Sequence, residues 1–143
     1  MRSAALVAAA LVAGCTDAVD APPLGDYTSW YRVDVAVPAP GHGDTYRIIY
    51  VNDVARTSGT TERDAVLVKE IRDDDGGSPG ALRYVAIMRK LVAGPAPEDE
   101  GGWLFSRSAT PGGAEVHSEL CWNRCHAAAP LAGVWLDYPR LPD

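Results

Sequence analysis

Four segments of this 143-residue chain are rich in β-branched and aromatic residues and are bounded by Gly, Pro, Asp or Asn: Thr45 to Val51, Ala65 to Arg72, Leu82 to Leu91 and Trp103 to Ser106. The stretches between them are too short for the crossover helix that parallel neighbours require, so the strands must pair mainly antiparallel. Only Asn52 to Asp64 has room for a helical turn. Fourteen Gly and eleven Pro work against long helices and exclude an all-helical bundle. The fold class that follows is α+β, a mainly antiparallel β-sheet with short flanking helices, in one domain. Asp26 to Tyr31 opens a first helix, with Asp26 as N-cap and Trp30 and Tyr31 as its apolar mass. A C-terminal helix is expected within Glu115 to Ala129, which lacks Gly and Pro and is stopped at Pro130.

The N-terminus is not part of that fold. Arg2 is followed by an apolar run from Ala4 to Val12 and by small residues before Cys15, the pattern of an export signal. Nine apolar residues cannot cross a bilayer core, which needs about twenty. Val12-Ala13-Gly14-Cys15 resembles the bacterial lipobox, which implies cleavage before Cys15 and lipidation of that cysteine. The alternative is an ordinary secretory signal with an incidental cysteine. The expected organisation is a signal peptide at 1–14, a lipidated Cys15 with a tether over 15–25, and a folded domain over 26–143. Such a protein is periplasmic, held to a bacterial membrane by its lipid alone.

The net charge is −6, and no run of Lys or Arg offers a surface to nucleic acid. Asp73-Asp74-Asp75 and Glu98-Asp99-Glu100 sit beside Gly and Pro and read as solvated loops. Neither supplies the alternating ligands of a calcium loop.

The chemistry concentrates at Cys121-Trp122-Asn123-Arg124-Cys125-His126, which resembles the c-type haem attachment pattern C-x-x-C-H. Two closely spaced thiols can each add to one haem vinyl group, and the adjoining imidazole then falls beneath the iron. On this reading Cys121 and Cys125 bind haem c covalently, His126 is the proximal iron ligand, and the C-terminal helix carries the motif. A disulfide, a thioredoxin-like pair or half a zinc site are the bland alternatives. A zinc site lacks a second cysteine pair, a thioredoxin motif belongs in a βαβ unit, and neither explains His126.

A late attachment motif behind about a hundred residues of strand-like sequence resembles the cytochrome P-460 family, which includes the β-sheet cytochromes c′-β. The markers run in order from His42-Gly43, through Tyr46-Arg47-Ile48-Ile49-Tyr50-Val51-Asn52, Val68-Lys69-Glu70, Tyr84 to Lys90 and Gly102-Trp103-Leu104-Phe105, to the haem motif and a closing Trp135-Leu136-Asp137-Tyr138-Pro139. The resemblance implies a haem whose face opposite the histidine takes small nitrogen species such as nitric oxide or hydroxylamine. It also implies a lysine that cross-links to the haem ring, at Lys69 here. Alternation along the strand places Lys69 with Leu67 and Ile71, and Glu70 with Val66 and Val68. A surface lysine with its stem over apolar residues is the plain alternative for Lys69.

Hydroxylamine-oxidising members use a distal carboxylate as proton acceptor, and the matching positions here are the apolar Val85 or Ala86. That departure moves weight from an oxidoreductase towards gas binding or electron transfer, with Glu70 as a weak substitute base. A six-coordinate electron carrier is the second reading, with Met88 as a candidate sixth ligand set against ordinary core packing. Such a carrier implies a redox partner protein; the sequence leaves oligomeric state open, a homodimer included. His42 reads as a structural or exposed loop residue, and His117 as a contact for solvent or a haem propionate. Trp103, Phe105, Trp122 and Trp135 are expected to wall the haem.

Overall fold

The computed structural model describes residues 18–36, 41–94 and 99–142. The expected signal peptide and the candidate lipid site Cys15 lie outside the described residues. Among those described, no helix is long and apolar enough to cross a membrane.

Six strands form one antiparallel sheet in strict chain order: β1 (Tyr31–Val35), β2 (Thr45–Val51), β3 (Val66–Asp74), β4 (Pro79–Lys90), β5 (Trp103–Ser108) and β6 (Val116–His117). Sequence reading finds β2 to β5, with β2 exact and the others displaced by a few residues at their ends. It misses β1 and β6. In β1 half of the alternating positions are outward and charged, Arg32 and Asp34, and pair with each other. β6 is only two residues long.

The sheet buries both faces. On one, Ile49, Val51, Leu67, Met88, Trp103 and Phe105 form a core with Val134 and Tyr138 of the C-terminal segment. On the other, Tyr46, Ile48, Tyr50, Val68, Val85 and Ile87 pack beneath Tyr27 and the partly buried Trp30. The sequence assigns Asp26 to Tyr31 to a helix, and Tyr27–Ser29 is a single 3₁₀ turn. Asp26 does not cap that turn through its carboxylate, which instead accepts from Thr28 Oγ1 at 2.6 Å. Residues 18–24, expected to belong to a tether, run along the domain: Val19 N–H donates to Glu115 O, Pro22 O accepts from Arg89, and Leu24 packs on the second core.

The connection after β2 holds the predicted helical turn, a single π-turn at Val54–Ser58. From it Arg56 donates to Tyr138 O at 2.6 Å and Leu141 O at 2.9 Å, tying the chain end to the sheet. The expected helix over Glu115 to Ala129 is much shorter. Val116–His117 extends the sheet, α1 spans Glu119–Arg124, and a 3₁₀ turn follows at His126–Ala128. Cys125 breaks the helix, with φ −137° and ψ −59°. Good helix formers do not continue it because the next side chain, His126, is drawn inward to a fixed partner.

Candidate functional site

On the first face, the register lines up three cross-strand rows. Val51, Leu67, Met88 and Phe105 form the first; Ile49, Lys69, Ala86 and Arg107 the second; Arg47, Ile71 and Tyr84 the third. Above them lies a cavity of about 280 Å³, just under the ~300–1,000 Å³ usual for small-molecule sites. Leu67, Met88 and Phe105 form its apolar floor, and Val134, Leu136 and Tyr138 close it from the C-terminal segment. The exposed Trp135 lines its rim.

Cys121, Cys125 and His126 all reach this cavity. Both cysteines are free thiols, half-buried, with Cys121 inside α1 and Cys125 at its C-cap. The sequence reading of this run as C-x-x-C-H is wrong by one residue: Trp122, Asn123 and Arg124 put three between the cysteines, so the run is C-x-x-x-C-H. That spacing places the thiols one helical turn apart on neighbouring positions of one face, and the Cys125 N–H donates to Cys121 O. The wider spacing therefore still turns both sulfurs to one cavity.

His126 is buried, and its Nδ1 lies 2.6 Å from Gly133 O. A carbonyl only accepts, so Nδ1 carries the proton and Nε2 keeps its lone pair, the arrangement of a metal-ligating imidazole. The ring packs against Phe105 with centroids 5.0 Å apart, and Phe105 in turn packs on Trp122 at 6.1 Å. Trp103 fixes the same loop from behind through Nε1–H to Ala132 O at 2.9 Å. Burial, and then the Lys69 charge, pull the His126 pKa down to about 4, against a smaller opposing effect of the Gly133 bond.

Lys69 points into the cavity and has no hydrogen-bond or ion-pair partner among the described residues. Burial, then the nearby Arg47, lower its pKa to about 8, partly offset by the two thiols. The strand alternation correctly separates it from Glu70: Lys69 is half-buried at the cavity, and Glu70 is buried on the other face. Glu70 lies on the opposite face, 4% exposed, where it accepts from Tyr27 Oη at 2.9 Å and Arg72 Nε at 2.8 Å. It does not join the cavity. Of the two positions considered for a distal carboxylate, Ala86 lines the cavity opposite Lys69 and Val85 faces the other way. Among the described residues, no Asp or Glu lines the cavity.

Sequence reading missed His42. Its loop, rich in Gly and Pro, folds back over the site so closely that a Cβ at Gly41 would stand 2.9 Å from Cys125 Sγ. His42 lines the cavity, with Nδ1 3.0 Å from Tyr84 Oη. Burial, followed by the Lys69 and Arg47 charges, lowers its pKa to about 3. Arg47 itself is buried and lines the cavity, and burial lowers its pKa too. His117 is exposed and faces Glu100 at 3.2 Å. The chain matches no protein-family model, and no curated protein is similar to it at a significant level.

Proposed function

We propose that this chain is an exported, lipid-anchored mono-haem c-type protein similar to the cytochrome P-460 family, which binds or transforms small nitrogen species in the bacterial periplasm. One observation carries the reading: Cys121, Cys125 and an imidazole with its Nδ1–H fixed on Gly133 O open into one apolar-floored cavity. The donor set fits haem c. Two reduced thiols would take the vinyl groups, His126 Nε2 would hold the iron, and α1 with the turn after it would be the attachment segment. Haem, when bound, would supply a centre that exchanges one electron and takes small ligands.

The chain's own residues do the rest. Gly133 O holds the His126 tautomer and raises the basicity of its free nitrogen. Phe105, Leu67 and Met88 keep water from the cavity floor. Lys69 lines the cavity with an amine whose pKa is lowered to about 8, and it would be the residue to bond the haem ring in a cross-link, two hydrogens passing to an external oxidant. With no carboxylate on the cavity wall among the described residues, the reading favours binding or one-electron chemistry over hydroxylamine oxidation.

The second reading, a six-coordinate electron carrier with a protein redox partner, draws on Met88 lining the cavity. Met88 shares its row with Phe105, against which His126 stacks, so it lies on the His126 side and is a poor opposite ligand.

Intact mass and an optical spectrum, after expression with haem-attachment machinery, test the proposal. Covalent haem with a high-spin ferric spectrum that changes on adding nitric oxide is expected. Haem mass less the hydrogens lost in one further bond, with a red-shifted Soret band that Lys69→Ala abolishes, would assign the cross-link. Protein that matures without haem mass, or with low-spin iron indifferent to nitric oxide, refutes the small-ligand reading.

A further inference from the structure

The cavity holds two imidazoles, and the haem reading uses one. His126 stacks over Phe105, in the row of Met88, whereas His42 bonds Tyr84, four residues further along β4. At about 3.3 Å per residue those anchor points are about 13 Å apart. Lys69 and Ala86 occupy the row between them. The Tyr84 anchor of His42 therefore lies beyond the Lys69 row from the Phe105 row on which His126 packs, while Gly41 beside it closes on Cys125.

The hydrogen bond to Tyr84 bears on which nitrogen of His42 carries the proton. Among the described residues the Tyr84 hydroxyl has no second partner. Were His42 to donate from Nδ1, the phenol hydrogen would be left without an acceptor in a half-buried position. With Tyr84 Oη–H donating to Nδ1, both atoms of that bond are satisfied and the ring proton sits on Nε2. Burial, and then the charges of Lys69, Arg47, His126 and Arg107, the last over the Tyr84 ring at 4.6 Å, oppose a second proton on the ring. They keep it neutral, so it is a donor from one nitrogen only.

We propose that His42, held by Tyr84, is the ligand-stabilising donor of this cavity: its Nε2–H bonds the outer atom of a small ligand held on the side of the Lys69 row away from His126. The inference rests on the haem reading and adds selectivity to it. The preferred ligands have an outer atom rich in lone pairs or negative charge, such as a small anion or the reduced form of a nitrogen oxide. Diatomics that accept hydrogen bonds weakly gain little.

The test uses the mature holoprotein, first confirmed by mass to carry covalent haem. Ferric fluoride affinity and ferrous carbon monoxide affinity are compared in the parent, His42→Leu, His42→Gln and Tyr84→Phe. Fluoride binding should weaken about 10- to 100-fold in His42→Leu, the size of one hydrogen bond to a charged group. It should weaken less in Tyr84→Phe, where the ring loses its tether, and recover in large part in His42→Gln, whose amide restores a donor. Carbon monoxide affinity should stay near the parent value throughout. Tyr84→Phe removes one oxygen and keeps the core filled, so it serves even if His42→Leu folds poorly. Unchanged fluoride affinity in both variants overturns the proposal. So does a low-spin parent that becomes high-spin in His42→Leu, since His42 would then ligate the iron itself. Absence of covalent haem is read from the mass before any titration and defeats the haem reading instead.

Discussion

Removing the Glu70 carboxylate tests whether it is a structural group or a catalytic one, because its partners all lie away from the cavity. Glu70→Ala deletes two charge-assisted hydrogen bonds, from Tyr27 at 2.9 Å and Arg72 at 2.8 Å. Each is worth about 1.5–3 kcal/mol. Breaking a buried ion pair costs about 3–5 kcal/mol in all. Here the lower part of that range applies, because the Arg72 side chain is 27% exposed and also donates to Gly80 O. We expect a loss of about 3–4 kcal/mol, or about 12–16 °C at roughly 4 °C per kcal/mol for a domain of this size. Tyr27→Phe alone should cost about 1.5–2 kcal/mol. The double variant should cost less than the two together by about that amount, since the shared bond is lost only once. Denaturant titration followed by tryptophan fluorescence or circular dichroism gives the energies, and the visible spectrum of the holoprotein should be unmoved. A loss under about 1 kcal/mol, or an altered spectrum with unaltered stability, would refute the placement of Glu70.

Gly101 has φ +69°, and a Cβ there would stand 2.6 Å from Trp122 Cη2; Gly101→Ala should cost about 2–4 kcal/mol and lower the yield of covalent haem, both measurable on one preparation. Ala86→Glu puts a carboxylate opposite Lys69, and if a missing base limits the site, hydroxylamine-dependent reduction of an artificial acceptor should rise about 100-fold; a haem-loaded variant at the parent's rate would show that the base is not what is lacking. Burial, and for Tyr27 also its bond to Glu70, raise the Tyr27 and Tyr138 phenols above their usual 10.0. The folded protein then keeps protons that the unfolded chain releases, so this stabilisation is complete below about pH 10 and is lost as pH rises further. Denaturation midpoints at pH 9 and 11 should show the decline, and Tyr27→Phe should flatten it.

Local pattern carried most of the sheet into view. The run Tyr46 to Val51 is unbroken by charge except at Arg47, so β2 is legible to the residue. The alternation through Leu67, Lys69 and Ile71 likewise assigns Lys69 its face from residue order alone. What pattern hides is contact between distant residues. His42 looks like loop filling because its partner Tyr84 is 42 positions away, and Glu70 looks like a spare base because Tyr27 is 43 positions away. The helix over Glu115 to Ala129 fails for a similar reason: Glu115 is held by Arg89 and Ser106, Val116 and His117 pair with β5, and His126 answers to Gly133 rather than to its own helix. No local signal marks His42, because the approach of Gly41 to Cys125 joins positions far apart in the chain.

The unbroken neighbour order of the strands has a bearing on time as well as shape. Each strand pairs with the one before it, so most of the sheet closes through short loops, the condition under which β-structure forms fastest. The wall bearing Lys69, Ala86 and Phe105 can be assembled from residues up to 108, while both thiols and His126 come later in the chain. Cys121 and Cys125 thus meet a wall whose own strands pair without them.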